Sequence, residues 1–266
     1  MAERGEIRKR VEAWRRDPGS SAILTDIDGT LAPIVPTPDM AKVSAEIKEH
    51  LRRSSEEYLL LAGISGRGTE DALALVGLVN IVYFGNHGFE ILREGEVEVI
   101  PEAVPYREKI DELERRAREE LEPLGAFVED KGITASIHFR NAPPEVGERC
   151  VDFVKAEGER LGLRITVGRG VVEARPPVRA DKGTAVRALV EEYGPKRAMF
   201  IGDDTTDLDA FRELAELCEE GELEEILRVG VSSDEGPSEI VSEADLAVEG
   251  VEGVEELLEA LLLDED

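Results

Sequence analysis

Residues 26–28 read Asp-Ile-Asp, one residue (Thr25) after the apolar run Ala22-Ile23-Leu24 and directly before Gly29-Thr30. A second acidic group, Gly-Asp-Asp-Thr-Thr-Asp, carries Asp203, Asp204 and Asp207. Carboxylates this closely spaced repel one another, and a shared divalent cation would offset that repulsion. Mg²⁺ suits such a set, because it takes hard oxygen ligands, needs few carboxylates and leaves room for water and a phosphate oxygen. Three further polar clusters stand out: Ser65-Gly66-Arg67, Asn86-His87-Gly88 and Lys182-Gly183-Thr184. Each fragment alone also fits a plainer role. Asp-Gly-Thr is a turn, Asp-Asp-Thr-Thr can cap a helix, and Lys182 can be a solvated helix start. The acidic loop at 203 is not an EF-hand, since it lacks the required glycine and the twelfth-position glutamate.

These clusters need elements to position them. Ala22–Ile27, Tyr58–Ile64, Ile81–Phe84 and Ala198–Ile201 are short apolar runs, each ending in one of the polar groups. Helical patterns start near Ser44, Thr69, Lys182 and Thr206. Apolar strands alternating with helices predict a doubly wound α/β fold, a Rossmann-like core around a parallel sheet covered on both faces. In such a sheet, ligands bind at the carboxyl ends of the strands. The four clusters are therefore expected at one edge, which would bring the carboxylates together.

The middle of the chain breaks this rhythm. Pro105–Leu121 is a charged helix, followed by strands Ala126–Glu129 and Ile133–Phe139, a helix from about Pro144, and strands Arg164–Val167 and Val171–Ala174. In Ile133–Arg140 the apolar residues Ile133, Ala135, Ile137 and Phe139 alternate with Thr134, Ser136, His138 and Arg140. That is a sheet with one packed and one polar face. We expect an inserted α+β cap over 105–178, with 1–104 and 179–266 forming the catalytic core.

Composition narrows the function classes. The 266-residue chain is 35% charged with a formal net charge of −28. Such a surface repels nucleic acid and anionic membranes, so neither is expected as a partner. An anionic substrate would need a local positive group, and Lys182 is a candidate. Cys150 and Cys218 are the only cysteines, too few for a disulfide framework or a metal knuckle. The first residues are charged and helical without the apolar centre of a signal peptide, so a cytoplasmic location is expected.

The order Asp-x-Asp-Gly-Thr, Ser-Gly-Arg, Lys, Gly-Asp-Asp-x-x-Asp resembles the haloacid dehalogenase-like phosphatases. More specific stretches, DIDGTLAPI, ISGR, GNHGFE, VEDKGITASIHFR, VVEARPP, KGTAV and IGDDTTDLDAF, resemble the trehalose-6-phosphate phosphatases over about residues 20 to 215. The resemblance implies Asp26 as nucleophile, Asp28 as general acid and base, and Lys182 as the charge that stabilises the transferring group. It implies Thr30, Ser65, Gly66 and Arg67 around the phosphate. Mg²⁺ would be held by Asp26, the backbone carbonyl of Asp28 and Asp203, with Asp204 and Asp207 at or behind it. Asn86, His87, Glu129, Lys131, His138, Arg140 and Glu173 would read the sugar. The implied reaction is hydrolysis of trehalose 6-phosphate, with a separate synthase chain as a conceivable partner. Open alternatives are a phosphatase for mannosyl-3-phosphoglycerate or sucrose phosphate, and a catalytically silent sugar-phosphate binding module. A phosphomutase would need a route to rephosphorylate its product, and no feature supplies one.

Overall fold

The computed structural model describes residues 4–35, 40–168, 170–233 and 236–262. In chain order the first elements are α1 (Arg4–Arg10), α2 (Glu12–Arg16), β1 (Ser21–Thr25), α3 (Ala45–Glu57), β2 (Leu60–Ile64) and α4 (Thr69–Val76). Then come β3 (Val82–Gly85), β4 (Glu90–Arg93), β5 (Glu96–Val99), α5 (Arg107–Leu121), β6 (Phe127–Asp130) and β7 (Ala135–His138). α6 (Pro144–Leu161), β8 (Arg164–Gly168), β9 (Val171–Arg175), α7 (Lys182–Tyr193) and β10 (Arg197–Gly202) follow. The last are α8 (Asp207–Glu220), β11 (Glu225–Ser232), α9 (Ser238–Ser242), β12 (Leu246–Glu249) and α10 (Gly250–Leu261).

The chain divides into two compact units, Met1–Val97 with Ala180–Asp266, and Glu98–Arg179. In the first, the sheet order is β12-β11-β10-β1-β2-β3-β4-β5. The pairs from β12 to β3 run parallel, while β3 and β4 pair antiparallel. Every residue of β1 is buried, and its side chains alternate between two cores. Ile23 packs with the buried faces of α3, α4 and α10. Ala22 and Leu24 pack with those of α7 and α8. This two-sided burial is why the strands read as apolar runs rather than as alternating patterns. At the N-terminus, Ile7, Val11 and Trp14 form a buried stripe at helical spacing.

Helix boundaries follow their caps. The Ser44 hydroxyl accepts the Ile47 amide at 3.1 Å, so α3 starts where the sequence places it. α7 opens on a capping box: the Asp181 carboxylate accepts the Thr184 amide at 2.8 Å, and the Thr184 hydroxyl accepts the Asp181 amide at 3.0 Å. The β4–β5 edge was not expected. Its β5 alternates Glu and Val, but none of its residues is buried, so the alternation marks no core.

The second unit has an antiparallel sheet in the order β6-β7-β9-β8. Ala135, Ile137, Val172 and Ala174 pack one face against α5 and α6. The opposite face is not uniformly wet: Ser136 is buried and His138 half-exposed. The unit begins at Glu98, where 105 was expected, so the last two residues of β5 fall on its side of the division.

Candidate active site

The first step is how carboxylates reach one another at the sheet edge. The Asp26 amide donates to the Ile201 carbonyl at 2.8 Å, carrying the β1–β10 ladder one residue past β1. Asp26 is thereby fixed beside the end of β10, which leads into Asp203. Gly29 has φ 87°, and a Cβ there would lie 2.0 Å from Asp203 Oδ2. Only glycine allows Asp203 to settle over that turn. Gly202 plays the same part for Asp207, since its Cβ would lie 2.4 Å from the Asp207 Cγ.

Asp26, Asp203 and Asp207 each bring an oxygen within 4.8 Å of the others, and all three are buried. At that spacing each pair of ionised carboxylates repels by on the order of 3 kcal/mol at an effective dielectric of about 20. Lys182 offsets part of this. Its ammonium donates to Asp26 Oδ1 at 2.6 Å and to Asp207 Oδ1 at 2.5 Å. Burial opposes a charge on Lys182, but Asp207 and Asp26 outweigh it and hold its pKa above the ordinary lysine range. The carboxyls remain in excess. Burial pushes Asp26 well above the carboxylate range; Lys182 pulls it back, while Asp207 and Asp203 push it further up. Burial, then Asp207, pushes Asp203 to about 6 despite Lys182.

This donor set fits a hard divalent cation: all oxygen, buried, and carrying more negative charge than one lysine neutralises. The five carboxylates expected to share a cation do not all converge. Asp28 turns its side chain to Arg67, whose Nε and one terminal nitrogen each donate to it at 2.6 Å in a two-pronged ion pair. Asp204 is exposed and accepts the Thr205 amide at 2.7 Å. Asp207 is near the centre but committed, with Oδ1 on Lys182 and Oδ2 accepting the amides of Asp203 and Asp204 at 2.9 Å each. It holds the acidic loop and the lysine together. Thr30 is buried with its hydroxyl 3.5 Å from Asp203 Oδ1, so it lies against that carboxylate.

The neighbouring loops are similarly fixed. Ser65 donates its amide to the Phe84 carbonyl at 2.8 Å, and its hydroxyl accepts the Arg67 amide at 3.1 Å. That hydroxyl keeps its proton to donate. Arg67 was expected on a phosphate; its guanidinium fork is instead on Asp28. Asn86 and His87 both adopt left-handed backbone, φ 51° and 59°. Such conformations cost about 1–3 kcal/mol each in a non-glycine residue and persist only where the surroundings impose them. Here the Arg67 carbonyl accepts the Asn86 amide at 2.7 Å and the Ser65 carbonyl accepts the His87 amide at 3.0 Å. The His87 ring lies against Gly66, where a Cβ would be 2.6 Å from it. The strain thus locks the β3 turn onto the Ser65–Arg67 loop.

On the second unit, β6 and β7 place Glu129 opposite Ser136, and β7 and β9 place Ser136 opposite Glu173. His138 Nε2 is 2.8 Å from Glu129 Oε2. The Lys131 ammonium is 3.8 Å from both Glu129 and Glu173. Arg175 Nε donates to Glu173 at 2.5 Å. Four of the residues expected to read the sugar, Glu129, Lys131, His138 and Glu173, are therefore linked to one another. Arg140 lies past the end of β7, exposed. Sequence reading missed Asp181, whose capping box fixes the start of α7 at Lys182; the Asp-x-x-Thr spacing was its visible signal.

A family model described as Trehalose-phosphatase matches residues 24–248. A trehalose-phosphate phosphatase of Mycobacterium marinum is 34% identical over 200 residues, covering 71% of this chain and 50% of that protein. A probable trehalose-phosphate phosphatase G of Arabidopsis thaliana is 34% identical over 225 residues, covering 73% of this chain and 59% of that protein. The chain thus spans about half the length of the curated relatives it matches. Among solved structures, the C-terminal domain of a Candida albicans trehalose-6-phosphate phosphatase aligns with TM-score 0.71 at 23% identity, covering 96% of each chain. A haloacid dehalogenase-like hydrolase from Bacteroides thetaiotaomicron aligns with TM-score 0.63 at 17% identity, covering 91% of this chain and 99% of that one. The last two show a shared fold; with the family model matched across most of its length, the chain belongs to the trehalose-phosphatase family.

Proposed function

We propose that the chain is a Mg²⁺-dependent phosphatase that hydrolyses trehalose 6-phosphate to trehalose and phosphate. The observation that carries this is the buried cluster of Asp26, Asp203 and Asp207, with Lys182 bonded to Asp26 and Asp207. In the first step an Asp26 carboxylate oxygen attacks phosphorus, the phosphorus–sugar oxygen bond breaks, and Asp28 gives a proton to the departing oxygen. In the second, Asp28 takes a proton from water, the water oxygen attacks phosphorus, and the Asp26–phosphorus bond breaks. Two easier displacements replace one hard one. Ser65 donates its hydroxyl to a phosphoryl oxygen, and Lys182 supplies positive charge beside the nucleophile. The two-pronged pair with Arg67 holds Asp28 as the carboxylate, so Asp28 leaves that pair and takes up a proton before it serves as the acid. Asp26 and Asp203 would hold the Mg²⁺, with Asp207 behind them; the ion supplies charge neutralisation for the transferring group.

We assign the Glu98–Arg179 unit the role of a cap whose Glu129, Lys131, His138 and Glu173 bind sugar hydroxyls. Asn86 and His87 complete the substrate contacts from the core unit. Among the described residues no helix is long and apolar enough to cross a membrane. With the acidic surface, this supports a cytoplasmic enzyme that meets its substrate as a small molecule, supplied by a separate synthase. Phosphate release from a dozen sugar phosphates, with and without Mg²⁺, tests the reading. Trehalose 6-phosphate should exceed the others in kcat/KM by at least about tenfold. Preference for sucrose phosphate or mannosyl-3-phosphoglycerate would reassign the substrate, and no release from any would leave a binding module.

A further inference from the structure

Phe127 has no evident folding role. It is 61% exposed on β6, whereas Val128, its neighbour on the packed side, is buried. Strand alternation puts Phe127 on the same face as Glu129. The register confirms this face: Phe127 sits opposite His138, and His138 opposite Val171. The Phe127 and His138 rings are 6.0 Å apart at a tilt of 31°. On the outer strand, Gly168 pairs with Val171, and a Cβ on Gly168 would lie 3.0 Å from a Val171 methyl. Gly168 therefore leaves this corner without a side chain of its own.

The face is thus divided. One end carries Lys131, Glu129, Glu173 and Arg175, charges that pair with one another. The other end is an apolar shelf of Phe127 and Val171, joined to the charged end by His138, which bonds Glu129. Hydroxyl-binding charges next to an aromatic surface match the two chemistries of a pyranose: a rim of hydroxyls and a ring face of C–H groups.

We propose that Phe127, with His138 at its edge, is the platform for one pyranose ring of the disaccharide and determines preference for disaccharide over smaller phosphate esters. This rests on the reading that the substrate is a phosphorylated disaccharide. Packing gives Phe127 little to do in folding, so truncation leaves no core cavity and the fold is retained.

Two measurements test it. Phe127→Ala should raise KM for trehalose 6-phosphate by about fivefold to fiftyfold, the range for losing one apolar contact of this size. Its kcat should stay within about twofold, and p-nitrophenyl phosphate hydrolysis should not change. Phe127→Tyr should restore KM. Phe127→Trp gives a direct readout, because the only native tryptophan, Trp14, is buried in the other unit. Titrating this variant with trehalose alone should shift its emission, with no change in the parent protein. An unchanged KM in Phe127→Ala, equal losses on both esters, or an unresponsive Phe127→Trp overturns the platform. Failure of the parent protein to hydrolyse trehalose 6-phosphate overturns instead the substrate assignment. The Phe127→Trp titration, run with the disaccharide whose phosphate is turned over, then decides the platform.

Discussion

The core unit and the inserted unit both gather charged side chains, but under opposite physical conditions. Around Asp26 the groups are buried, contacts are 2.5–2.9 Å, and the glycines at 29 and 202 leave no room for movement. On the β6–β7–β9 face, Lys131 is 3.8 Å from each carboxylate, and His138 and Glu129 are partly exposed. Burial turns the first cluster into a concentrated field with displaced pKa values, the property that bond making and breaking requires. The second has loosely matched charges near water, able to exchange one another for hydroxyl groups at little cost. The two clusters thus differ in dielectric environment, and on the proposed function that difference separates chemistry from recognition.

The comparison breaks most completely at Asp26. Asp26→Asn removes the attacking oxygen and should reduce turnover by at least about a thousandfold. Lys182 keeps Asp207, and the cluster loses one of its repelling charges, so the thermal midpoint should not fall by more than a few degrees. Residual phosphate release above that level would remove the nucleophile assignment. Metal removal probes the same field. Chelation with EDTA should abolish phosphate release, and Mg²⁺ should restore it. Ca²⁺ should bind without restoring it, because its larger, looser coordination displaces the phosphate. Full activity after exhaustive chelation would mean that Lys182 alone offsets the carboxylates.

The inserted unit should behave differently. Glu129→Ala or Lys131→Ala should lower kcat/KM for trehalose 6-phosphate by about tenfold to a thousandfold, as expected for lost hydrogen bonds to a substrate. Hydrolysis of p-nitrophenyl phosphate should be nearly unaffected. Equal loss on both esters would show that this face supports the core and does not read the sugar.

How far the sequence carried this picture depends on what each residue does. The parallel strands were legible because burial on both sides demands apolar runs, as in Ala22-Ile23-Leu24. The starts of α3 and α6 were legible from Ser44 and Pro144. β4 and β5 were not: β4 is four residues long with only Ile91 and Leu92 in the cores, and no residue of β5 is buried, so its Glu-Val alternation marks no core. At the site, sequence order pointed to five carboxylates, of which Asp26, Asp203 and Asp207 gather. It did not indicate which oxygens were already taken. The two-pronged Arg67–Asp28 pair and the three-way engagement of Asp207 depend on side-chain directions set by turns. A charged residue in a loop carries no mark of whether it faces a ligand or its neighbour.

The smallest expected effect lies in the inserted unit, on the opposite face of its sheet. Glu114 sits on the buried stripe of α5 with Ile110, Leu113 and Ala117. Burial pushes its carboxyl up to about 8; Asp130 and Asp111 add to this, and Arg118, 3.8 Å away, opposes it. Here a carboxyl of the inserted unit shares the burial-driven upward shift of the core site. The sign follows from linkage. The ordinary glutamate value is near 4.5, so between there and about 8 the folded chain holds a proton that the unfolded chain has released. Stability from this group is therefore fully present below the lower value and is lost as pH rises through about 8. Glu114→Gln keeps the shape and donor capacity of the protonated acid but cannot ionise. Thermal midpoints of the two proteins should nearly coincide at pH 5, and the variant should lead by a few degrees at pH 8.5, corresponding to about 1–2 kcal/mol. The general repulsion of a chain with net charge −28 lowers both midpoints together, so the difference between them isolates Glu114. A gap that does not widen with pH would mean that Glu114 is ionised in the fold, and that burial of charge is confined to the core unit.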